Sequence, residues 1–414
     1  MSDPIFSPDG KWMWTGSEWI PAPPSSASGA DSTINLQDSM MSRDVNVDQN
    51  SNDTSSTINL KDSAMSGDIN ITQNNAEDIA NAMVQALERI GFSGQSSPAE
   101  LTPSQEKEVE QVLEMSEQLA SHGIEIDPST EITLGIAAEL AGRTHSAQQH
   151  YLRALETFRK NGDRHGEAAS LNNLGNIAET RGDLAEAERL HRESLVINRQ
   201  IGDRQGEAAS LNNLGLIAET RGDLAEAERF YQECLAIMRE IGDRQGEAAS
   251  LGNLGNIAEK RGDLAEAERL QRESLAIWRE IGDRQGEARS LNNLGLIAVT
   301  RGDLVEVERL HRESLAINRE IGNRQGEALA LGNLGVIAKA RGDLAEAERL
   351  YRESLAIKRE IGDRQGEAHS LINLGSIMNS KGQHDEERRM YTSAVQIQRE
   401  IGIPIQQWFI DNGY

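Results

Sequence analysis

The chain has a single cysteine, Cys234, among 414 residues. A lone thiol closes no internal disulfide, and the sequence is expected in a reducing cytoplasm. Basic residues are in deficit: 42 Lys and Arg stand against 67 Asp and Glu, a net charge of −25. Without a basic stripe there is no electrostatic footprint for nucleic acid, and the same sign repels an anionic membrane surface. No apolar run approaches the ~18 residues of a spanning helix. The opening "MSDPIFSPDG" lacks a basic region followed by an apolar core, so no secretory leader is expected. No histidine–cysteine cluster has zinc spacing. Neither a phosphate-binding loop nor a nucleophile elbow occurs, so no cofactor, metal or catalytic residue is expected and the reading is non-enzymatic. Aromatic residues make up only 4%, and three of the five tryptophans crowd into "SPDGKWMWTGSEWIPAPP".

What the chain has in abundance is itself. Leu-Gly pairs end at Gly135, Gly175, Gly215, Gly255, Gly295, Gly335 and Gly375, always 40 residues apart. A fixed period of this length marks a stack of like units. Each copy carries two amphipathic stripes. Leu171, Leu174 and Ala178 fall three or four apart, and so do Leu184, Ala187 and Leu190, with Leu195 following. Between the stripes, "ETRGDLAE" supplies Gly182 for a left-handed helix stop, Asp183 as N-cap and Glu186 to complete a capping box. "IGDR" closes the second helix at Gly202, and Asp203 starts the next. Loops of two to four residues force neighbouring helices antiparallel. Gly175 and Ala187 are small so that helices approach closely. One pair cannot bury its stripes alone; stacked pairs can, so the expected product is an all-α solenoid of about fourteen helices.

Leu174-Gly175, Gly182, Ala187 and Leu195 resemble the tetratricopeptide repeat. The family's usual aromatic in the slot of Ala178 and alanine in the slot of Ser194 are absent. The 40-residue unit with "GDRxGEA" and "LGN" phrases is similar to the long repeats of cell-polarity adaptors and kinesin light chains. The resemblance covers 127–402. It implies a right-handed superhelical solenoid in which the first helix of each pair lines a concave groove. There Asn173, Asn213, Asn253, Asn293, Asn333 and Asn373 recur at 40, with Asn172, Asn212 and Asn292 beside them and Asn176 and Asn256 one turn on. An Asn side chain offers one acceptor and two donors, matching a peptide backbone. Two readings stay open: a ladder that holds an extended peptide, or bonds to a neighbouring helix. Glu179, Glu219 and Glu259 line the early copies, whereas Val299, Lys339 and Asn379 replace them later, with Arg289 and His369 near. A ligand with one basic and one acidic end would have a preferred direction.

Some motifs mislead. Arg-Gly-Asp occurs in five copies, but helix end, left-handed glycine and N-cap account for all three residues. His191 and His311 occupy the slot of Tyr231 and Tyr351 and read as packing side chains. Cys234 replaces a serine and reads as a small buried residue. The charges read mostly as a solvated face of paired Glu and Arg.

Twenty acids and five bases precede Asp127, so −15 of the charge lies there. Residues 1–24 read as a Trp-rich hairpin around Trp12, Trp14 and Trp19, or a locally ordered tail. Residues 25–75 hold "STINLQDSMMSRDVNV" and, 24 residues on, "STINLKDSAMSGDINI". Their alternation has strand period. Four strands this short either pair with a second chain, giving a homo-oligomer, or stay disordered. Residues 76–126 read as a helix from about Ala76 and another from about Ser104 that caps the first repeat. Residues 403–414 are a tail whose Trp408 and Phe409 cover the last apolar stripe. The functional expectation is an adaptor that binds a protein or peptide segment in the groove. The rival is an autoregulated sensor whose repeats bind its own N-terminal modules.

Overall fold

The computed structural model describes residues 101–121 and 125–413, seven strands between residues 5 and 72, and residues 83, 85–89 and 91. It divides into two compact units, Met1–Ser170 and Leu171–Tyr414.

In the first unit, β1 (Ile5–Phe6), β2 (Trp12–Trp14) and β3 (Trp19–Pro21) form an antiparallel sheet in which Trp14 pairs with Trp19. β4 (Ser32–Asn35), β5 (Val45–Gln49), β6 (Ser56–Leu60) and β7 (Ile69–Thr72) form a second, in sequence order. Its register sets Ile34, Val47, Ile58 and Ile71 in one row and Asn35, Asn46, Asn59 and Asn70 in the next. Of the helix expected from Ala76, residues 85–89 are helical and much of the rest lies outside the described residues. α1 (Pro103–Ser121) precedes the first repeat, α2 (Pro128–Leu140) and α3 (Thr144–Asn161). It reaches α3 through Arg143–Glu110 and Ser146–Glu117.

From there the chain runs as α4 (Arg164–Thr180), α5 (Leu184–Ile201), α6 (Arg204–Thr220), α7 (Leu224–Ile241), α8 (Arg244–Lys260), α9 (Leu264–Ile281), α10 (Arg284–Arg301), α11 (Leu304–Glu320), α12 (Arg324–Ala340), α13 (Leu344–Glu360), α14 (Arg364–Ser380), α15 (His384–Glu400) and α16 (Gln407–Asp411). Even-numbered helices from α2 to α14 are the first of each pair, odd-numbered ones from α3 to α15 the second. The second unit is a solenoid of these antiparallel pairs.

The turns follow the sequence signals with one correction. Gly182 and Gly202 take φ of 78° and 73°, and Asp183 accepts from the Glu186 amide at 3.1 Å. The reciprocal half of the capping box is not made. The Glu186 carboxylate pairs with Arg189 at 2.7 Å, and the Asp183 amide donates to Ala178 O at 2.9 Å. The backbone group already had a helix-end acceptor, so the side chain was free for an ion pair.

Ala187 is fully buried, and the Leu-Gly glycines sit where a second-helix side chain presses on the first helix. A Cβ on Gly215 would lie 2.5 Å from the Tyr231 ring, and one on Gly175 would lie 2.6 Å from the His191 ring. His191, Tyr231, Gln271, His311, Tyr351 and Tyr391 fill that slot in turn, all buried. At the C-terminal end Phe409 of α16 is buried beside Tyr391 and Val395. Trp408 stays half exposed, edge-on to Tyr391 at 5.5 Å.

The reading of the charges as a solvated face holds for the second helices and fails for one glutamate per copy. Glu207, Glu247, Glu287 and Glu327 are buried near the start of their helices. Glu247 accepts from Arg239 Nε at 2.8 Å and from Arg244, and these two arginines also reach Glu273 and Glu280 of the next second helix. Burial pushes the Glu247 carboxyl up, but the two guanidiniums outweigh it and hold it below the usual range. Glu247→Ala is expected to lower stability by about 1–2 kcal/mol after allowance for the half-exposed arginines. Urea denaturation at low and high salt checks this. The loss should persist at high salt, where the loss from Arg189→Ala on the exposed helix face should vanish.

Candidate functional site: the face of the first helices

Helical periodicity sets residues three and four apart on one face. On α4 this face carries Asn172, Asn173, Asn176 and Glu179, all half-buried, and the matching slots of the later first helices lie at the same depth or shallower. Every asparagine singled out in the sequence is on this face. Many of them bond one another across successive repeats. Asn213 Nδ2 donates to Asn172 Oδ1 at 3.1 Å and to Asn176 Oδ1 at 3.2 Å. Asn253 donates to Asn212 at 3.1 Å, Asn293 to Asn256 at 3.3 Å and Asn333 to Asn292 at 2.9 Å. The ladder therefore knits the first helices together, through side-chain amides rather than helix carbonyls. Each half-buried amide still has a second N–H or lone pair to offer. Asn373 has Gly332 and Val336 in the partner slots, so the ladder stops before α14.

The charges on this face change sign as the sequence indicates. Glu219 accepts from Tyr231 Oη at 3.0 Å and Lys260 Nζ at 2.7 Å. Glu179 and Glu259 have no cation at ion-pair distance among the described residues. Arg289 is exposed, its guanidinium 5.8 Å from the Trp278 ring centroid, and Lys339 donates to Ser376 Oγ at 2.6 Å. Val299, His369 and Asn379 are exposed. Charge reasoning missed the apolar part of the face. Leu216, Leu296 and Val336 are exposed in the slot of Asn176 and Asn256, and Leu329 is exposed in the slot of Arg289. Aligning the copies at their period of 40 would have found them.

The sequence pattern described as the tetratricopeptide repeat matches residues 127–200, 167–240, 246–320 and 326–400, well over half of the chain. The chain belongs to the tetratricopeptide repeat family. No curated protein matches the sequence. Among solved structures this tetratricopeptide array is similar to a signal-transduction ATPase with numerous domains, bearing a tetratricopeptide repeat sensor, from Pyrococcus horikoshii. That match has a TM-score of 0.57 and 16% identity, covering 78% of this chain and 54% of that one. The apo form of the quorum sensor NprR from B. thuringiensis matches with a TM-score of 0.56 and 13% identity, covering 79% and 99%. Nearly identical repeats of a putative kinesin light chain from Podosopora anserina match with a TM-score of 0.40 and 19% identity, covering 47% and 95%. The first two share the fold with this tetratricopeptide protein.

The other side of the array is built for packing. Clefts of about 390 and 540 Å³ between successive second helices are walled by residues such as Arg239, Glu273, Arg279 and Arg309, which are ion-paired. The arginines of four of the Arg-Gly-Asp copies, Arg221, Arg261, Arg301 and Arg341, are spent here too. Arg221 pairs with Glu188 and donates to Leu184 O at 2.8 Å, and two and three copies along Arg301 does the same to Glu268 and Leu264 O and Arg341 to Glu308 and Leu304 O. Cys234 is buried against Ser250 Oγ at 3.4 Å, and burial pushes its thiol pKa up.

One arrangement resembles catalytic machinery. In the first unit, His150 lies 3.4 Å from Ser116 Oγ and 2.5 Å from Glu131, the order of a charge-relay triad. Ser116 and His150 are wholly buried, and the serine hydroxyl donates to Leu113 O at 2.7 Å. A nucleophile enclosed by helices and committed to a carbonyl meets no substrate. Among the described residues no group of side chains could hold a metal, and no helix is long and apolar enough to cross a membrane.

Proposed function

We propose that the protein is a non-enzymatic adaptor of the cytoplasm, and that the face of its first helices holds an extended peptide or protein segment. One contrast supports this most. The second-helix surface repeats almost unchanged and its charges are paired. The first-helix surface varies from copy to copy, as in Ala209, Ala249, Arg289, Leu329 and His369 of one slot, and keeps half-buried amides and unpaired charge. Packing does not require that variation; recognition of a non-repeating ligand does. Asn172, Asn173, Asn176, Asn212, Asn213, Asn253, Asn256, Asn292, Asn293, Asn333 and Asn373 would hold the peptide backbone. Glu179, Glu219 and Glu259 would face its basic part and Arg289 and Lys339 its acidic part.

Because Asn213 and Asn253 also join helices, substituting them tests packing and binding together. Ala209→Arg with Leu329→Arg is the cleaner experiment, since Arg289 shows that the slot tolerates arginine. The double variant should keep its helical circular dichroism and its melting temperature and lose at least tenfold in affinity for a peptide selected against the full chain, about 1.4 kcal/mol. Unchanged affinity in the folded variant would place recognition elsewhere.

The sensor reading draws on the two sensor proteins that share the fold and on the −15 charge ahead of Asp127. In it that acidic segment occupies the cationic part of the face. Lysine cross-linking of the full chain, from Lys11 or Lys61 to Lys260 or Lys339, would distinguish an internal occupant from an external one.

A further inference from the structure

Two observations on α10 and α12 point to a specific pocket within this face. The first is an apolar cluster around a glycine that packing does not demand. Leu296, Val299, Leu329 and Val336 are 39%, 43%, 50% and 48% exposed. First-helix residues meet partners 37 and 41 positions back, as Asn213 meets Asn176 and Asn172, and Lys339 meets Ser376 across the same 37. The offset of 37 brings Val336 to Val299. Gly332 lies one turn from both Leu329 and Val336. A Cβ there would meet nothing nearer than Ser354 Oγ at 3.8 Å, whereas one on Gly335 of the same helix would lie 2.7 Å from the Tyr351 ring. A glycine inside a helix is unfavourable relative to alanine, and neither close packing nor a positive φ offsets that here. Asn172, Asn212 and Asn292 fill the same slot in sister copies. At Gly332 the surface is instead notched, with Leu329 and Val336 as walls.

The second observation is charge. In the repeats most guanidinium and ammonium groups face a carboxylate, yet Arg289 and Lys339, which flank the apolar cluster, have none at ion-pair distance among the described residues. Two cations left without counter-ions beside an apolar notch complement a ligand that carries carboxylates next to a bulky apolar side chain.

We propose that the notch at Gly332 is a specificity pocket that takes a large aliphatic or aromatic side chain of a peptide partner, with acidic residues beside it engaging Arg289 and Lys339. This rests on the peptide-binding reading of the face and names the ligand class. Asparagine at 332 fills the notch and gives Asn373 the partner that Asn333 finds in Asn292, so the variant should fold.

The test is fluorescence polarisation of the full chain with three labelled decapeptides. The first has central Leu and Phe flanked by Asp and Glu. The second has the same apolar residues flanked by Lys. The third has the acidic flanks with Ala at the centre. The first should bind at least about tenfold more tightly than the others, as burial of one large apolar side chain implies. Gly332→Asn should weaken it about tenfold or more, while Gly252→Asn, the same change two copies earlier, should leave it within about threefold. Equal effects of the two substitutions, or equal affinity for all three peptides, overturns the pocket. Absence of any binding, or binding indifferent to Ala209→Arg with Leu329→Arg, overturns the peptide-binding reading beneath it.

Discussion

Replacing both His191 and His311 with tyrosine will flatten the fall in stability expected of the native chain between about pH 6.5 and 4.5. Both rings are wholly buried. His191 Nδ1 lies 3.0 Å from Asn172 Oδ1, while its Nε2 and both nitrogens of His311 have no hydrogen-bond partner among the described residues. Burial of the charged form drives each pKa down to about 4. A depressed histidine pKa means that the folded state keeps the ring neutral and the unfolded state takes up the proton first. Stability is therefore intact above the unfolded value near 6.5 and is lost as pH falls, the loss levelling off below about 4. By pH 4.5 each ring should cost about 2.5 kcal/mol, and the pair about 5 if the sites are independent. Tyrosine already occupies the slot at Tyr231 and Tyr351, and burial raises both phenols, the second to about 12, so the replacement stays neutral throughout. Carboxylates held low by arginine, such as Glu247 and Glu306, also lose stabilisation as pH falls, but they do so equally in both proteins and cancel in the comparison. Urea midpoints of native and double variant at several pH values decide the matter. Parallel slopes would show that the rings do not carry the acid sensitivity.

The second large effect separates two glycines by sign. Gly215→Val should destabilise by about 2–3 kcal/mol. The new side chain would start 2.5 Å from the Tyr231 ring, which is fully buried and whose hydroxyl is held by Glu219 at 3.0 Å. Gly332→Ala should stabilise by about 0.5–1 kcal/mol, because the helix gains a better former and the methyl meets only an ordinary contact with Ser354 Oγ at 3.8 Å. Chemical denaturation of the two variants beside the native chain is sufficient. A stable Gly215→Val would mean that the ring can swing away, and the close-approach argument for the whole Leu-Gly series would fail with it.

Much of the fold was written in the spacing. Gly182, Asp183, Gly202 and Asp203 delimit helices by backbone chemistry that needs no tertiary information. The seven Leu-Gly pairs mark close approach because only glycine fits against a tyrosine or histidine. Burial of charge was not legible. Glu207 and Glu219 sit on the same helix twelve residues apart, and composition treats them alike. Only the second helices, arriving with Arg199 ahead and Tyr231 behind, make one a buried clamp and leave the other half exposed. The asparagines were placed on the right helices, but which atoms they satisfy depends on a neighbour 37 or 41 residues away. That offset is a product of stacking and cannot be read along one strand of text.

The links from the end of each first helix to the second helix of the copy before it, Arg221 to Glu188, Arg261 to Glu228, Arg301 to Glu268 and Arg341 to Glu308, are the same bond made four times. Identical couplings make the units interchangeable parts. Excising 40 residues in phase, for instance 244–283, would join surfaces that already fit, and inserting a copy would do the same. Chain length can thus vary in whole units by recombination without redesign of the joints, while the order of side chains on the recognition face is reshuffled at each event. The same interchangeability has a folding consequence: a nascent copy meets several equally good docking partners. Only differences such as tyrosine against histidine in the buried slot distinguish the correct neighbour from its twin 80 residues away.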